Sequence, residues 1–245
     1  MPEPGRGLRH VEHAMGTVFS FDIRDPATPA ITEALHGAVA WLHQVDAVFS
    51  PYRPDSAVSR LDRGETTVGE CDPLVAEVLT LCERAERTTN GCFSTRAGGR
   101  LDPSGLVKGW AVERAAHLLY AAGARNTCVN GGGDLQLTGE ASPGVPWRVG
   151  IADPLRPGRL LTVVTGRDLA VATSGTAERG LHVHDPRTGA PARHLLSATV
   201  IGPSLTWADT YATAALVMGP AAEAWIGSVP GYELAALTPA PPPTR

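Results

Sequence analysis

The amino-acid sequence predicts an α+β fold with mixed, largely antiparallel sheets and flanking helices. Segments with apolar residues at helical spacing alternate irregularly with segments that show the two-residue alternation of strands. The second half of the chain contains hairpin signals instead of a regular strand–helix–strand repeat, which argues against a doubly wound parallel sheet. A chain of 245 residues is long enough to bury a core of its own. We therefore expect one domain over residues 1–237, either undivided or as two tightly packed lobes, followed by a disordered Pro-rich tail over residues 238–245.

The first half of the chain is predicted to contain one strand followed by three helices. Residues 14–23 alternate as a strand does, and residues 50–64 are rich in turn-forming residues and predict a loop. Apolar residues at helical spacing predict helices at residues 29–49, 73–88 and about 105–120. Gly123 stands where a glycine commonly ends a helix.

The second half is predicted to consist mostly of strands. Residues 126–137 are typical of two short strands joined by a glycine turn. Further strands are predicted at residues 147–152, 160–165, 168–173, 195–201 and 232–236. A helix is expected from Ala208 to Met218 with Thr206 as its capping residue, and a short helix is expected at residues 220–227.

Charge and composition exclude two classes of protein. The chain has 21 basic and 25 acidic side chains, a net charge of −4 and a pI of about 6.1, so it lacks the basic character of a nucleic-acid-binding protein. No apolar run approaches the roughly 20 residues that span a bilayer, and no secretory signal is visible at the N-terminus. The cysteines at 71, 82, 92 and 128 form no Cys-x-x-Cys pair. We therefore expect reduced thiols and a cytoplasmic protein.

Lys108 is the only lysine of the chain and lies in DPSGLVKGW, at a predicted helix start. A lysine offers a compact ammonium and helix N-termini attract phosphate, so phosphate binding is one interpretation; the other is an arginine-biased composition that retains one lysine. The segment does not match a Walker A loop, and Val107 stands where a Ser-x-x-Lys motif starting at Ser104 would need its lysine. The NGGGD run at 130–134 favours a tight hairpin turn over a nucleotide-binding fingerprint, because strand-like residues follow it.

Three further features could support chemistry. Asp209 and Thr213 are four residues apart on a predicted helix, so their side chains share a face. A carboxylate and a hydroxyl suit Mg²⁺, although an aspartate near a helix start more often interacts with the helix dipole. His182 and His184 alternate as strand residues on one face do; either a base near neutral pH or a hydrogen-bonded strand histidine fits this pattern. Tyr52, in a proline-bounded loop, could stack on a flat ligand or pack against its neighbours.

Taken in order, the motifs of the chain resemble the ApbE family of flavin transferases. The similar segments begin at Met15-Gly16-Thr17 and continue through FSPYRPDSAVSRL, GCFS, LDPSGLVKGWAVERA, VNGGGDL, WRVGIADP, LAVATSG, HVHDPRTGAP and ADTYATAALVMG. They extend to about Met218, which is nearly the whole chain. The resemblance implies an ApbE-like, T-fold-like architecture. It also implies a FAD:protein FMN transferase, which cleaves the FAD pyrophosphate, attaches FMN to a threonine or serine of an acceptor protein and releases AMP.

The resemblance also implies roles for individual residues. Mg²⁺ would be held by the side chains of Asp209 and Thr213 and by the backbone carbonyl of Gly105. His182 would activate the acceptor hydroxyl. FAD would contact Met15, Tyr52, Cys92, Phe93, Ser94, Asp102, Lys108 and Val183.

Ser94 departs from the family pattern, because many members have an aspartate after the phenylalanine. The departure removes a carboxylate from the FAD-binding segment. Two alternatives to transfer therefore stay open: an FAD pyrophosphatase that yields FMN and AMP without an acceptor, and a non-enzymatic FAD-binding protein. FAD is the expected ligand in all three cases. Mg²⁺ is the expected cofactor of the enzyme, and an acceptor flavoprotein is the expected partner of the transferase.

Overall fold

The structure, a computed structural model, describes residues 7–176, 180 and 183–240. The strands in these ranges are β1 (Leu8–Ala14), β2 (Thr17–Ile23), β3 (Thr127–Gly131), β4 (Asp134–Thr138), β5 (Trp147–Ala152), β6 (Leu160–Gly166), β7 (Ala170–Gly175), β8 (Leu195–Gly202) and β9 (Glu233–Pro239). The α-helices are α1 (Pro29–Phe49), α2 (Ala57–Asp62), α3 (Pro73–Thr88), α4 (Ser104–Ala121), α5 (Leu205–Met218) and α6 (Ala222–Ile226). None of the helices in these ranges is long and apolar enough to cross a membrane.

Seven strands form one sheet in the order β1-β2-β3-β4-β7-β8-β9, and each neighbouring pair is antiparallel. Strands β5 and β6 pair with each other as a separate hairpin. The chain leaves the sheet after β4, forms this hairpin and returns at β7, which pairs directly with β4. The arrangement confirms the predicted fold class, in which helices flank largely antiparallel sheets.

The helices pack on one face of the sheet, and the β5–β6 hairpin lies over part of the other. Successive side chains of β4 point to opposite faces of the sheet and therefore identify the helix side and the hairpin side. The side-chain oxygen of Gln136 accepts a hydrogen bond from the Leu205 N–H of α5 at 3.1 Å, whereas Leu137 lines a groove shared with the hairpin. The buried Trp147 of β5 donates from its indole N–H to the carbonyl of Thr138 at 3.0 Å. The main core lies on the helix side, where α4 packs against α1 and α5, and it includes the buried phenylalanines of β2.

The β1–β2 hairpin corrects the prediction of a single strand over residues 14–23. Met15 and Gly16 form the turn of the hairpin, with φ angles of 51° and 67°. Strand β1 gives little apolar alternation in the sequence, because two of its inward-facing residues are His10 and Glu12. Tertiary contacts hold these polar side chains in place; the ring of His10, for example, lies against that of Phe21.

Two other boundaries also differ from the prediction. The predicted loop at 50–64 contains α2, whose first turn is capped by Ser56; six residues are too few to show a helical period. Helix α5 begins at Leu205 instead of Ala208, so Thr206 lies inside the first turn and is not the capping residue. The helix starts earlier because its first N–H groups find acceptors on other elements, which the local sequence does not reveal.

The last strand continues further than predicted. Strand β9 ends at Pro239 and pairs with β8. Thr238 is buried, and its hydroxyl accepts a hydrogen bond from the Ser197 hydroxyl at 3.2 Å. The predicted disordered tail over 238–245 is therefore wrong in its boundary, because its first two residues belong to the sheet. Residues 241–245 lie outside the described ranges.

All four cysteines lie in the described ranges and are free thiols, as the sequence predicts. Burial raises the pKa of Cys82 and of Cys128 to about 12. Both thiols therefore stay protonated at neutral pH and are poor nucleophiles.

Helices α4 and α5 cross at short range because glycines lie on the facing side of α4. A Cβ atom at Gly109 would lie 2.6 Å from the carbonyl oxygen of Leu205 and 2.8 Å from the Cβ of Asp209. One turn earlier, a Cβ atom at Gly105 would lie 3.9 Å from the side chain of Thr213. Since packed atoms do not approach as closely as 2.6 Å, the crossing requires glycine at 109. The crossing brings the α5 residues that were predicted to bind a metal against the start of α4.

We expect Gly109→Ala to destabilise the protein by about 1–3 kcal/mol, because the added methyl group forces α4 and α5 apart. Gly37→Ala is the matched control, since Gly37 is an exposed residue of α1 with open space at its Cβ position. This control should gain about 0.5–1 kcal/mol from helix propensity. Urea unfolding followed by circular dichroism measures both free energies. Equal effects of the two substitutions would contradict the close crossing.

Candidate functional site

A buried cluster of charged side chains lies where α4 and α5 meet strands β4 and β7. The ammonium of Lys108 on α4 donates to the Asp134 carboxylate on β4, and its Nζ lies 3.6 Å from Oδ1 of Asp209 on α5. Asp134 and Asp209 are 1% and 2% exposed, whereas a quarter of the Lys108 side chain is accessible. One ammonium against two carboxylates gives this trio a formal charge of −1. The cluster therefore favours an additional cation.

The pKa of Asp209 reflects its burial first and its charged neighbours second. Burial raises the pKa of the Asp209 carboxyl above its usual range, the Lys108 ammonium opposes the rise, and the Asp134 carboxylate adds to it. Among the residues that the structure describes, the charged form of Asp209 is thus only partly compensated by its neighbours. A divalent cation would supply the missing positive charge.

The close helix crossing also places a backbone donor on Asp209. The Gly109 N–H donates to Oδ2 of Asp209 at 3.0 Å. In an α-helix this N–H would normally bond to the carbonyl of the residue four positions earlier, which is Gly105. The bond to Asp209 competes with that helical bond, so the Gly105 carbonyl has capacity to accept another partner, such as a metal ion.

Thr213 lies one turn after Asp209 on the same side of α5, as the spacing predicts. Its hydroxyl is hydrogen-bonded to the Ser174 hydroxyl of β7 at 3.0 Å. The structure thus brings together the three residues predicted as metal ligands, Gly105, Asp209 and Thr213. Their donor atoms are all oxygens, the type that Mg²⁺ prefers.

The part of the chain that the structure describes contains no metal-binding group made of acidic, histidine or cysteine side chains alone. There, no three or more His, Cys, Asp and Glu side chains form a group that could hold a metal ion. The set at the α4–α5 crossing differs from such a group because it combines one carboxylate with a hydroxyl and a backbone carbonyl. A site of this composition relies on substrate and water oxygens for its remaining ligands, which is usual for Mg²⁺.

The loop after α3 places Cys92 and Phe93 beside the start of α4. The Phe93 N–H donates to the Thr89 hydroxyl at 3.1 Å, and its ring lies 3.1 Å from the position of a Cβ atom at Gly105. Burial raises the pKa of the Cys92 thiol, and the nearby Arg187 guanidinium opposes this rise. These contacts join the loop after α3 to the loop that contains Arg187.

Two predicted FAD contacts lie on turns at this end of the sheet. The Gly132 N–H of the β3–β4 turn donates to the carbonyl of Val18 at 3.0 Å, and a Cβ atom at Gly132 would lie 2.7 Å from the Thr17 hydroxyl. The β1–β2 turn with Met15 therefore lies next to the glycine turn that leads into Asp134. Asp102 precedes α4, and its carboxylate accepts from the Ser104 N–H at 2.9 Å.

The other residues that were predicted to bind FAD or to act in catalysis are Tyr52, Ser94, Val183 and His182. Tyr52 follows α1 and is 91% exposed, so its ring is available to stack on a ligand. The Ser94 hydroxyl accepts a hydrogen bond from the Arg96 N–H at 3.2 Å within a local turn. Val183 packs against the core, and its carbonyl accepts from the Ala192 N–H at 2.9 Å. His182, the predicted catalytic residue, lies outside the described residues.

Three residues of the site were not predicted from the sequence. Asp134 and Ser174 reach the cluster from neighbouring strands, and Glu113 of α4 supports α5. The Glu113 carboxylate accepts from the Ser204 hydroxyl at 2.7 Å and from the Thr206 N–H at 2.8 Å. Asp134 follows the glycine run that predicts a turn, so the sequence indicates its place at the end of that turn. The sequence does not indicate its distant partner, Lys108.

The sequence model of the ApbE family matches residues 15–99 and 94–236. The chain belongs to the ApbE family. The crystallised flavin transferase ApbE from Vibrio cholerae has the same fold, with a TM-score of 0.79, 23% identity and coverage of 96% of this chain and 98% of that one.

Two curated ApbE-family relatives carry the name FAD:protein FMN transferase. The one from Vibrio cholerae is 36% identical over 129 residues, or 49% of this chain, and the one from Rhodobacter capsulatus is 31% identical over 203 residues, or 80%. The matched segments span 39% and 35% of the lengths of these relatives. The family and the fold are thereby shown, while the activity is a separate question.

We expect Glu113→Ala to lower the free energy of unfolding by about 1–3 kcal/mol, because the Thr206 N–H at the buried start of α5 loses its acceptor. Glu33→Ala on the exposed surface of α1 is the matched control and should change stability by less than about 0.5 kcal/mol. Thermal and urea unfolding of both variants test this. Equal losses would show that Glu113 does not anchor α5.

Proposed function

We propose that this ApbE-family protein transfers FMN from FAD to a threonine or serine hydroxyl of an acceptor protein, with Mg²⁺ as cofactor and AMP as product. The observation that carries the proposal is the buried Lys108–Asp134–Asp209 cluster with its formal charge of −1, next to Thr213 and Gly105 at the start of α4. The names of the two curated relatives support the same reaction.

The reaction joins an alcohol to a phosphate and breaks a phosphoanhydride. The acceptor oxygen attacks the phosphorus of the FMN half, and the bond between that phosphorus and the bridging oxygen breaks. AMP leaves with the bridging oxygen, and the hydroxyl proton passes to a base. Phosphoryl transfer of this kind depends chiefly on in-line positioning and on stabilisation of charge. A buried site rich in fixed charges suits that requirement.

The residues at the helix crossing fit a Mg²⁺ ion. Asp209 would contribute its carboxylate, Thr213 its hydroxyl and Gly105 its backbone carbonyl. The excess negative charge of the cluster gives the electrostatic reason for a cation, and the oxygen donors give the reason for a hard one. When bound, Mg²⁺ neutralises negative charge on the pyrophosphate.

Lys108 and the start of α4 are proposed to hold the FAD pyrophosphate. A quarter of the Lys108 side chain is accessible, so its ammonium could donate to a phosphate oxygen, and the positive end of the dipole of this 18-residue helix favours a nearby anion. The exposed Tyr52 ring would stack on an aromatic part of FAD. The other proposed FAD contacts are Met15, Cys92, Phe93, Ser94, Asp102 and Val183.

His182 is proposed to accept the proton of the acceptor hydroxyl. A neutral imidazole with a pKa of about 6.5 is suited to this role near neutral pH. The proton would then be lost to solvent after AMP has left.

The proposed partner is an acceptor protein with an accessible threonine or serine. The four free thiols favour a reducing compartment, and on that basis we place the protein in the cytoplasm. Mass spectrometry of flavin-bearing peptides, in cells with and without this chain, would identify the acceptor.

The reaction is tested by incubating the protein with FAD, Mg²⁺ and purified candidate acceptor proteins. We expect AMP release that depends on the acceptor, and an acceptor threonine or serine that carries FMN by mass spectrometry. AMP and free FMN without any acceptor would instead indicate a pyrophosphatase. Tight FAD binding without AMP under all conditions would contradict an enzymatic function.

Within this assay we expect Thr213→Val to raise the Mg²⁺ concentration for half-maximal rate by at least about tenfold, since even outer partners of metal ligands matter by 10–100-fold. Thr210→Val is the matched control on the same helix, because the Thr210 hydroxyl bonds only to the Thr206 carbonyl among its contacts in the described ranges. The control should keep the Mg²⁺ dependence of the wild type. An unchanged Mg²⁺ dependence in Thr213→Val would contradict the assignment of Thr213 as a ligand.

A further inference from the structure

We propose that Asp134 is a positioning residue that fixes the Lys108 ammonium beside the metal and pyrophosphate site. The inference rests on the proposed function, since it assigns Asp134 a part in that same site. Asp134 is 1% exposed, and a buried carboxylate is costly unless its oxygens are paired. Its partners therefore explain why it is there.

Each oxygen of Asp134 is bonded to a different element. Oδ1 accepts from the Thr173 N–H of β7 at 2.8 Å, and Oδ2 accepts from the Lys108 ammonium of α4. The first bond fixes the carboxylate to the backbone of the sheet. The second bond then fixes the ammonium of a side chain that is otherwise long and flexible. Asp134 thus connects the rigid sheet to the one lysine of the chain.

Asp134 and Lys108 differ in their exposure to solvent, and this difference separates a positioning role from a substrate-contacting role. Asp134 is sealed from solvent, so it cannot touch a substrate, whereas a quarter of the Lys108 side chain is accessible. Asp134 therefore acts through Lys108. Fixing a lysine side chain costs rotamer entropy, and this cost is met when the protein folds and not when FAD binds.

Asp134 also keeps Lys108 from pairing fully with Asp209. The Lys108 Nζ lies 3.6 Å from Oδ1 of Asp209, which is longer than a hydrogen bond. Without the negative charge at 134, the ammonium would move onto Asp209 and compete with the metal ion for that carboxylate. Removal of Asp134 should therefore weaken metal binding, and the effect should require Lys108.

A double-mutant cycle on metal binding tests this inference. Mn²⁺ affinity is measured by titration and electron paramagnetic resonance in the wild type, Asp134→Asn, Lys108→Met and the double variant, each as the full chain. Asp134→Asn keeps an oxygen for the Thr173 N–H, so the fold should be retained, which circular dichroism checks. We expect Asp134→Asn to weaken Mn²⁺ binding by about tenfold alone, and by less than about twofold when Lys108 is already replaced, as coupled neighbours behave.

Two further measurements and two further variants complete the test. Flavin fluorescence gives the same cycle for FAD affinity, and AMP release should show a lower kcat with a smaller change in KM for Asp134→Asn. Asp134→Glu, which keeps the charge, should restore part of the loss and serves if the asparagine variant does not fold. Glu33→Gln removes one negative charge, as Asp134→Asn does, but at an exposed site on α1. It should leave Mn²⁺ affinity, FAD affinity and AMP release unchanged.

The results separate this inference from the proposed function. Equal losses of Mn²⁺ affinity with and without Lys108 would overturn the positioning role. A coupled cycle in a protein that releases no AMP would support the positioning role and reject the transferase. Absence of both Mn²⁺ and FAD binding in the wild type would overturn both.

Discussion

The close crossing of α4 and α5 at Gly109 is the constraint on which the rest of the site depends. The absence of a side chain at Gly109 lets Asp209 reach the backbone of α4 and accept its N–H. That contact places the carboxylate beside Lys108 and leaves the Gly105 carbonyl with capacity for another partner. Thr213, one turn further on, comes against the same part of α4. Helix packing, and not a flexible loop, therefore sets the geometry of the proposed metal ligands.

The crossing also brings charged side chains together, in addition to setting the geometry of the site. Two nearly sealed carboxylates share one ammonium. Burial raises the pKa of Asp209, and the Lys108 ammonium opposes the rise. Buried ion pairs of this kind contribute little to stability, so their retention is better explained by a ligand that completes them. A divalent cation and a dinucleotide pyrophosphate have complementary charges and oxygen chemistry. The two curated relatives carry a name, FAD:protein FMN transferase, that includes such a dinucleotide.

Much of the fold could be predicted from the sequence, because α1 and α3 show clear helical periods and most strands of the second half show alternation. Strand β1 could not be predicted, because polar residues on its inward face obscure the strand alternation. Helix α2 could not be predicted, because six residues are too few to show a helical period. In the site, the four-residue spacing predicts that Asp209 and Thr213 lie on one face of a helix. Lys108 stands out in the sequence because it is the only lysine. Asp134 was missed because its partners lie 26 and 39 residues away, across the sheet. Only folding brings such pairs together.

The most direct test of this account is X-ray diffraction at the manganese edge from crystals of the wild-type protein grown with FAD and Mn²⁺. Manganese suits the same oxygen ligands as magnesium and gives an anomalous signal. The account predicts a peak bounded by the Asp209 carboxylate, the Thr213 hydroxyl and the Gly105 carbonyl, with the FAD pyrophosphate beside it and Lys108 in contact with a phosphate oxygen. A peak at another place, or FAD bound away from the start of α4, would contradict it.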